Sequence, residues 1–216
     1  KIIKFVVIYF RYTNLNIGGA IMSNIVDMFS GLLGTNIDQI QNSLGNNDKK
    51  GIMSAASVAL PVMLEALNKN TNTKEGAQSL ANALDKDHDG SKLNDITSMI
   101  SNYKGENGSA ILNHMFGDKK ENIINSVSKS SGLDMNSTSN LMSMLAPFVL
   151  EFLGKNKKEQ NLDADGISNL TSMASNFLGG SNGNLMGMLT NFLDADKDGS
   201  IVDDAMDLLG GLFKKK

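Results

Sequence analysis

The chain has no cysteine and no tryptophan, and its 216 residues include only two histidines, two prolines and one arginine. Without cysteine there can be no disulfide, thiolate metal site, iron–sulfur cluster or cysteine nucleophile. Two histidines cannot build a three-histidine metal site. Arginine supplies the bidentate fork that reads guanine, so a chain whose only arginine is Arg11 is poorly equipped to read DNA sequence. We therefore expect a protein that is not an enzyme and has no nucleic-acid partner.

Length and charge favour a small acidic globular protein. With 41% hydrophobic and 20% charged residues, the chain suits one or two domains, and its formal net charge is -3. The apolar run in residues 2–10 is interrupted by Lys4 and is too short for a membrane span, which needs about 20 apolar residues. We expect residues 1–21 to be a non-native leader upstream of Met22, and the protein to be cytoplasmic. If residues 1–21 are instead a genuine signal, an extracytoplasmic location follows.

The apolar residues recur at helical spacing, which predicts an all-α fold. One such stripe follows α-helical periodicity from Leu141 to Phe152, and a second runs from Ile52 to Leu67. Each stretch contains one of the two prolines, Pro61 or Pro147. A proline inside a helix removes a backbone donor, so each helix is expected to kink or restart there.

The two stretches also resemble each other, which predicts an internal repeat. ALPVMLEALNKN at residues 59–70 matches APFVLEFLGKN at residues 146–156, and residues 80–95 match residues 189–204. We predict two related helical lobes, residues 22–104 and residues 105–216, the second with an inserted helix. The sequence leaves open whether they share one core. The run KNKK at residues 155–158 is expected to be a solvated connector.

The most specific motif is an acidic loop of the form DxDxDGS, which occurs twice. Its carboxylates and glycine match the first half of an EF-hand calcium loop, in which alternate acids surround the ion and glycine permits a sharp turn. The glutamate expected at position 12 is missing, since Ile96 or Ala205 stands there, so a nearby aspartate would have to close the site. The predicted ligands are Asp85, Asp87, Asp89, Ser91 and Asp95 in the first loop, and Asp194, Asp196, Asp198, Ser200 and Asp204 in the second. The truncated pattern predicts weak Ca²⁺ binding, with Kd on the order of 10⁻⁴–10⁻³ M.

A structural interpretation of the same loops stays open. Ser91 and Ser200 are good N-cap residues, and aspartates in a first turn complement the helix dipole. A related stretch from Asp163 to Gly166 lacks one carboxylate and predicts only a turn and a cap. His88 lies inside the first loop at a position that supplies no ligand, and it is expected to face solvent.

Taken together, the motifs resemble the bacterial YidB-like family, a domain family of unknown function. The resemblance is carried by residues 84–95, 111–117, 130–134, 145–154 and 193–204. It implies a small, all-helical, homeodomain-like arrangement, in which SSGLD at residues 130–134 is similar to a helix-turn-helix corner. It carries over no catalytic residue, and a shared fold does not establish DNA binding.

The leading hypothesis is a non-enzymatic helical module for binding or assembly, stabilised by Ca²⁺, whose partner is an unidentified protein or a second copy. Two alternatives belong to other classes. A helix-turn-helix nucleic-acid-binding protein would need a basic stripe and salt-dependent DNA retention. A metal-assisted hydrolase would need a cleft in which carboxylates from distant segments converge.

Overall fold

The computed structural model describes residues 32–103 and 105–181, with side chains as far as residue 176. These residues form helices joined by short turns and contain no strand, which confirms the predicted all-α class for this part of the chain. Helix α1 runs through residues 32–44. The following helices are α2 (Lys49–Asn70), α3 (Lys74–Asp87), α4 (Ile96–Ser101), α5 (Gly105–Phe116), α6 (Lys120–Ser131), α7 (Met135–Gln160) and α8 (Ala164–Ser181), with 3₁₀ turns at Ser91–Asp95 and Gly117–Lys119.

Helix α2 is the first of the two predicted proline helices. It begins where the carboxylate of Asp48 accepts a hydrogen bond from the amide of Gly51, at 2.9 Å, and it ends at Thr71, whose amide bonds back to the last turn. Its apolar stripe is buried as the periodicity predicts, and Met63 and Leu64 are fully inaccessible to solvent. The helix continues through Pro61 without a restart.

Helix α7 is the second proline helix and the longest element described. Asp134 caps its start by accepting a hydrogen bond from the amide of Ser137 at 2.9 Å, and Asn161 ends it in a left-handed conformation with φ of 52°. The helix runs on without interruption through Pro147. Sixteen of its residues are buried, so α7 forms the centre of the described core rather than a surface helix.

In the part of the chain that the structure describes, helices from both predicted lobes pack against one another. Helix α7 from the second lobe packs against α2 and α3 from the first, and also against α5 and α6. Contacts divide the chain after Ser175, and every residue of the site discussed below lies before that division. The repeat relationship between the lobes stays a prediction.

One helix in the described part of the chain, α2, is long and apolar enough to cross a membrane by length and composition alone. Its apolar window has a mean hydropathy of 1.4, and 61% of that window is buried inside the protein. Such burial is typical of the core helix of a soluble protein, because the apolar side chains already have protein neighbours.

Candidate functional site

The first acidic loop does not form a free-standing turn. Asp85 and Asp87 belong to the last turn of α3, which ends at Asp87. Gly90 adopts a left-handed conformation with φ of 86° and is the N-cap of the short 3₁₀ turn Ser91–Asp95. Gly90, and not Ser91, therefore occupies the N-cap position, and the prediction that Ser91 is an N-cap is wrong.

Lysine ammonium groups from α7 neutralise two of the loop carboxylates. Lys157 Nζ lies 2.6 Å from Asp85 Oδ1, and Lys158 Nζ lies 3.0 Å from Asp89 Oδ2. The Lys157 side chain is only 14% exposed, so this pair is partly shielded from solvent. The expectation that residues 155–158 form a solvated connector is therefore wrong, since they are the last turns of α7 and bind the loop.

A buried carboxylate lies beneath the loop. The Glu151 side chain is 0% exposed, and it is the one charged residue in the buried set among the residues described. Its Oε1 lies 3.1 Å from His88 Nδ1 and accepts a hydrogen bond from Lys92 Nζ at 3.0 Å, while Oε2 accepts one from the amide of Gly90 at 3.0 Å. We call these four residues the Glu151 cluster. Three partners compensate for the solvation that a carboxylate loses on burial.

The position of His88 corrects the expectation that it faces solvent. Its side chain is 15% exposed and its Nδ1 lies against Glu151. When Glu151 is ionised it can only accept hydrogen bonds, so the Nδ1–H tautomer of His88 is the one that satisfies this contact. Glu151 itself was missed from the sequence. The sequence nevertheless contains a signal for it. Glu151 is the one charged residue in the apolar stretch from Phe148 to Phe152, and a charged side chain on a buried face needs a partner, because an unpaired charge is almost never fully buried.

Close backbone packing completes the docking of the loop on α7. A side-chain carbon at Gly154 would overlap the carbonyl oxygen of His88, and one at Gly90 would overlap the backbone of Lys155. Both glycines are thus required by contact between the loop and the helix. Gly90, which the EF-hand pattern assigns to an ion-binding turn, also allows the loop to approach α7 closely.

Hydrogen bonds lower the pKa of two predicted ligands of the first loop. Those from Ser91, and then from Lys158, hold the pKa of Asp89 well below its ordinary value. Asp95 is the N-cap of α4, and its pKa is lowered by the hydrogen bond that it accepts from the Ser98 hydroxyl at 2.6 Å and then by the one from the Ser98 amide at 2.9 Å. Each is stabilised as a carboxylate by partners within the protein.

The predicted first-loop ligands are therefore divided between several partners. Asp85 and Asp89 form ion pairs with different lysines, and Asp95 caps α4. The backbone oxygen of Asp87 accepts a hydrogen bond from Lys92 Nζ at 2.6 Å. No group of three or more acidic, histidine or cysteine side chains able to hold a metal ion occurs in the described residues. The second-loop ligands Asp194, Asp196, Asp198, Ser200 and Asp204 lie outside those residues. Calcium binding stays a prediction.

Two further motifs have clear structural roles. Asp163 accepts a hydrogen bond from the amide of Gly166 at 2.8 Å at the start of α8, which confirms the predicted turn and cap. The segment at residues 130–134 forms the corner between α6 and α7, with Gly132 in a left-handed conformation and Asp134 capping α7.

The comparisons with known proteins identify a family. The family described as "Bacterial protein of unknown function (DUF937)" matches residues 27–156, which is more than half of the chain. No curated protein and no solved structure matches the chain significantly. The matched region contains the first acidic loop, the Glu151 cluster and most of α7, and the chain belongs to this bacterial family of unknown function, the YidB family.

Proposed function

We propose that the chain is a non-enzymatic helical module that binds or assembles with a protein partner, and that the partner is a second copy of the chain. The Glu151 cluster is the observation that carries the non-enzymatic part of this proposal. A buried carboxylate with a neighbouring histidine and lysine is a common catalytic arrangement. Here the carboxylate also accepts a hydrogen bond from a backbone amide, so both of its oxygens are engaged in holding the loop.

Two exposed methionines support the assembly part of the proposal. Met53 in the first turns of α2 is 38% exposed, and Met135 at the start of α7 is 43% exposed. Methionine is flexible and polarisable, and exposed methionines are frequent at adaptable protein contacts. The N-terminal ends of these helices are close together, because Asn46 Nδ2, just before α2, donates to Asp134 Oδ2 at 3.0 Å.

The nucleic-acid alternative has less support. A helix-turn-helix protein places its second helix in the major groove, with base contacts from the N-terminal residues of that helix. The second helix of the corner is α7, most of which is buried. Its first turn presents Met135 and Asn136 to solvent but carries no cation to contact phosphate.

Sedimentation velocity and turnover assays on the full chain test the proposal together. We expect the sedimentation coefficient to rise with protein concentration, and Met53→Lys with Met135→Lys to abolish the rise. Asn113→Lys with Asn122→Lys, at exposed positions on α5 and α6, adds the same two charges elsewhere and should leave the rise unchanged. Metal-dependent hydrolysis of simple ester or phosphate substrates would overturn the proposal in favour of a hydrolase. A monomer that is retained on DNA in a salt-dependent manner would overturn it in favour of the nucleic-acid alternative.

A further inference from the structure

Residues 74–101 are attached to the rest of the protein by few apolar side chains. This segment comprises α3, the 3₁₀ turn Ser91–Asp95 and α4. Its buried apolar residues are Ala77, Ala81 and Leu84 in α3 and Ile100 in α4, and the 3₁₀ turn has none. Helix α2 alone has nine buried apolar residues and α7 has ten. Since apolar burial is the dominant stabilising term, the segment has the weaker attachment.

Polar and charged contacts make up much of the remaining attachment. Along α7 these are the pairs of Lys157 with Asp85 and Lys158 with Asp89, together with the Glu151 cluster. At the far end of the segment, the side chain of Gln39 in α1 hydrogen-bonds to Ser101 and to the carbonyl of Thr97. The Asp85 side chain is 63% exposed and the Lys158 side chain 69% exposed, so mobile ions can reach both pairs.

We infer that residues 74–101 form a strap that opens from α7 as one unit while α2 and α7 remain folded, and that the lysine–aspartate pairs and the Glu151 cluster act as its charge-dependent latch. The strap is bounded by the short turn at residues 71–73 and by Asn102. Opening would uncover the α7 surface around Glu151 and Gly154, which the closed strap covers. Proteins open in contiguous units of this kind, and the units that move in binding come from the less stable parts of a structure.

Native-state hydrogen exchange on the full chain tests this inference. Amide protection in α3 is compared with that in α2, at about 0.1 M and about 1 M KCl, between which the Debye length falls from about 10 Å to about 3 Å. We expect the amides of α3 and the 3₁₀ turn to exchange faster than those of α2 at both concentrations. We also expect high salt to lower the protection of the α3 amides by about tenfold, because screening weakens the exposed pairs of the latch.

Single substitutions in the latch test whether its contacts control hydrogen exchange in α3. Glu151→Gln and, separately, Lys157→Gln should raise exchange in α3 at low salt, and α3 should still exchange faster than α2 in both variants. Glu159→Gln is the matched control, because Glu159 is 61% exposed in a pair with Lys155 at 3.9 Å on the same helix and outside the latch. The wild-type salt comparison does not depend on any variant folding.

Two results would overturn the inference. If α3 and α2 exchange at the same rate under all conditions, the protein opens only globally and no strap exists. If α3 exchanges faster than α2 but neither high salt nor Lys157→Gln raises the exchange rate of α3, the attachment of residues 74–101 does not depend on charge and the proposed latch is wrong.

Discussion

Gly154 lies directly against the carbonyl group of His88, so that the middle of α7 and the first acidic loop touch through their backbones. Three residues earlier on the same helix, Glu151 accepts hydrogen bonds from that loop. The approach allowed by Gly154 brings the loop amide of Gly90 within 3.0 Å of the buried carboxylate. Packing and hydrogen bonding at this place are therefore coupled, and a change in one is expected to disturb the other.

Replacing Gly154 with alanine tests that coupling. We expect Gly154→Ala to lower the free energy of unfolding by about 1–3 kcal/mol, because the new methyl group overlaps backbone atoms of His88 and the loop must move away. In an unconstrained helix the same replacement stabilises by roughly 0.5–1 kcal/mol. Urea denaturation followed by circular dichroism measures the difference.

Gly34→Ala is the matched control for this substitution. Gly34 lies in α1, is exposed, and has no atom within 4 Å of the position that a side-chain carbon would take. We expect Gly34→Ala to be neutral or stabilising. Equal stability of the two variants would show that α7 and the loop are not in the close contact described.

Much of the helical core follows from sequence periodicity. The apolar stripe of α7, including Leu141, Leu145 and Phe148, is buried as its spacing predicts, because a 3.6-residue period places these side chains on one face. The N-caps Asp134 and Asp163 follow from local hydrogen bonding, which depends on neighbouring residues alone. Such features are determined within a few residues of chain.

The partners of the acidic loop could not be predicted in the same way. The donors to Glu151 lie 59 to 63 residues away in sequence, and no local pattern specifies that pairing. The DxDxDG pattern indicates that negative charge must be compensated, but it does not distinguish a metal ion from lysine ammonium groups. In the first loop, lysines of α7 contact Asp85 and Asp89.

A double-mutant cycle measures how strongly Glu151 and Lys92 interact. We expect Glu151→Gln to lower the free energy of unfolding by about 1–3 kcal/mol, because Lys92 and His88 lose the carboxylate that they contact. Lys92→Met should also cost about 1–3 kcal/mol, because it removes one of the donors that compensate the fully buried Glu151 carboxylate, although Lys92 itself is 56% exposed. The coupling energy should fall within about 0.5–3 kcal/mol, as is typical for residues in one network.

The cycle of Glu159→Gln with Lys155→Met is its control. Both side chains are more than half exposed and their charged atoms are 3.9 Å apart, so a coupling energy of at most about 0.5 kcal/mol is expected. If the coupling energy from the Glu151 cycle is no larger than that from this control cycle, the residues of the Glu151 cluster do not stabilise the protein as a network.

Stability should decrease in acid, partly through Asp134. A backbone hydrogen bond from Ser137 lowers the pKa of Asp134 in the folded protein. A carboxyl group with a lowered folded-state pKa stabilises the protein above its unfolded pKa, which is about 3.9, and loses that contribution as the pH falls through its folded pKa. Wild type and Asp134→Asn should therefore be similarly stable near pH 7, where asparagine caps a helix as well as aspartate does.

The difference between the two proteins should appear at low pH. Between about pH 5 and about pH 2, the urea midpoint of Asp134→Asn should fall less than that of wild type, because the variant lacks this titrating group. Parallel pH profiles for the two proteins would show that the Asp134 cap makes no contribution that depends on its charge.

Calcium titration distinguishes the two acidic loops. We expect calorimetry on the full chain to show weak binding, with Kd on the order of 10⁻⁴–10⁻³ M, that survives Asp85→Asn with Asp89→Asn. Replacing Asp194, Asp196 and Asp198 with alanine should abolish it. The reason is that an ion entering the first loop would have to displace Lys157 and Lys158, whose ammonium groups already contact its carboxylates. Loss of binding in the first-loop variant would instead mean that calcium displaces those lysines. No heat at millimolar calcium would mean that neither acidic loop binds the ion.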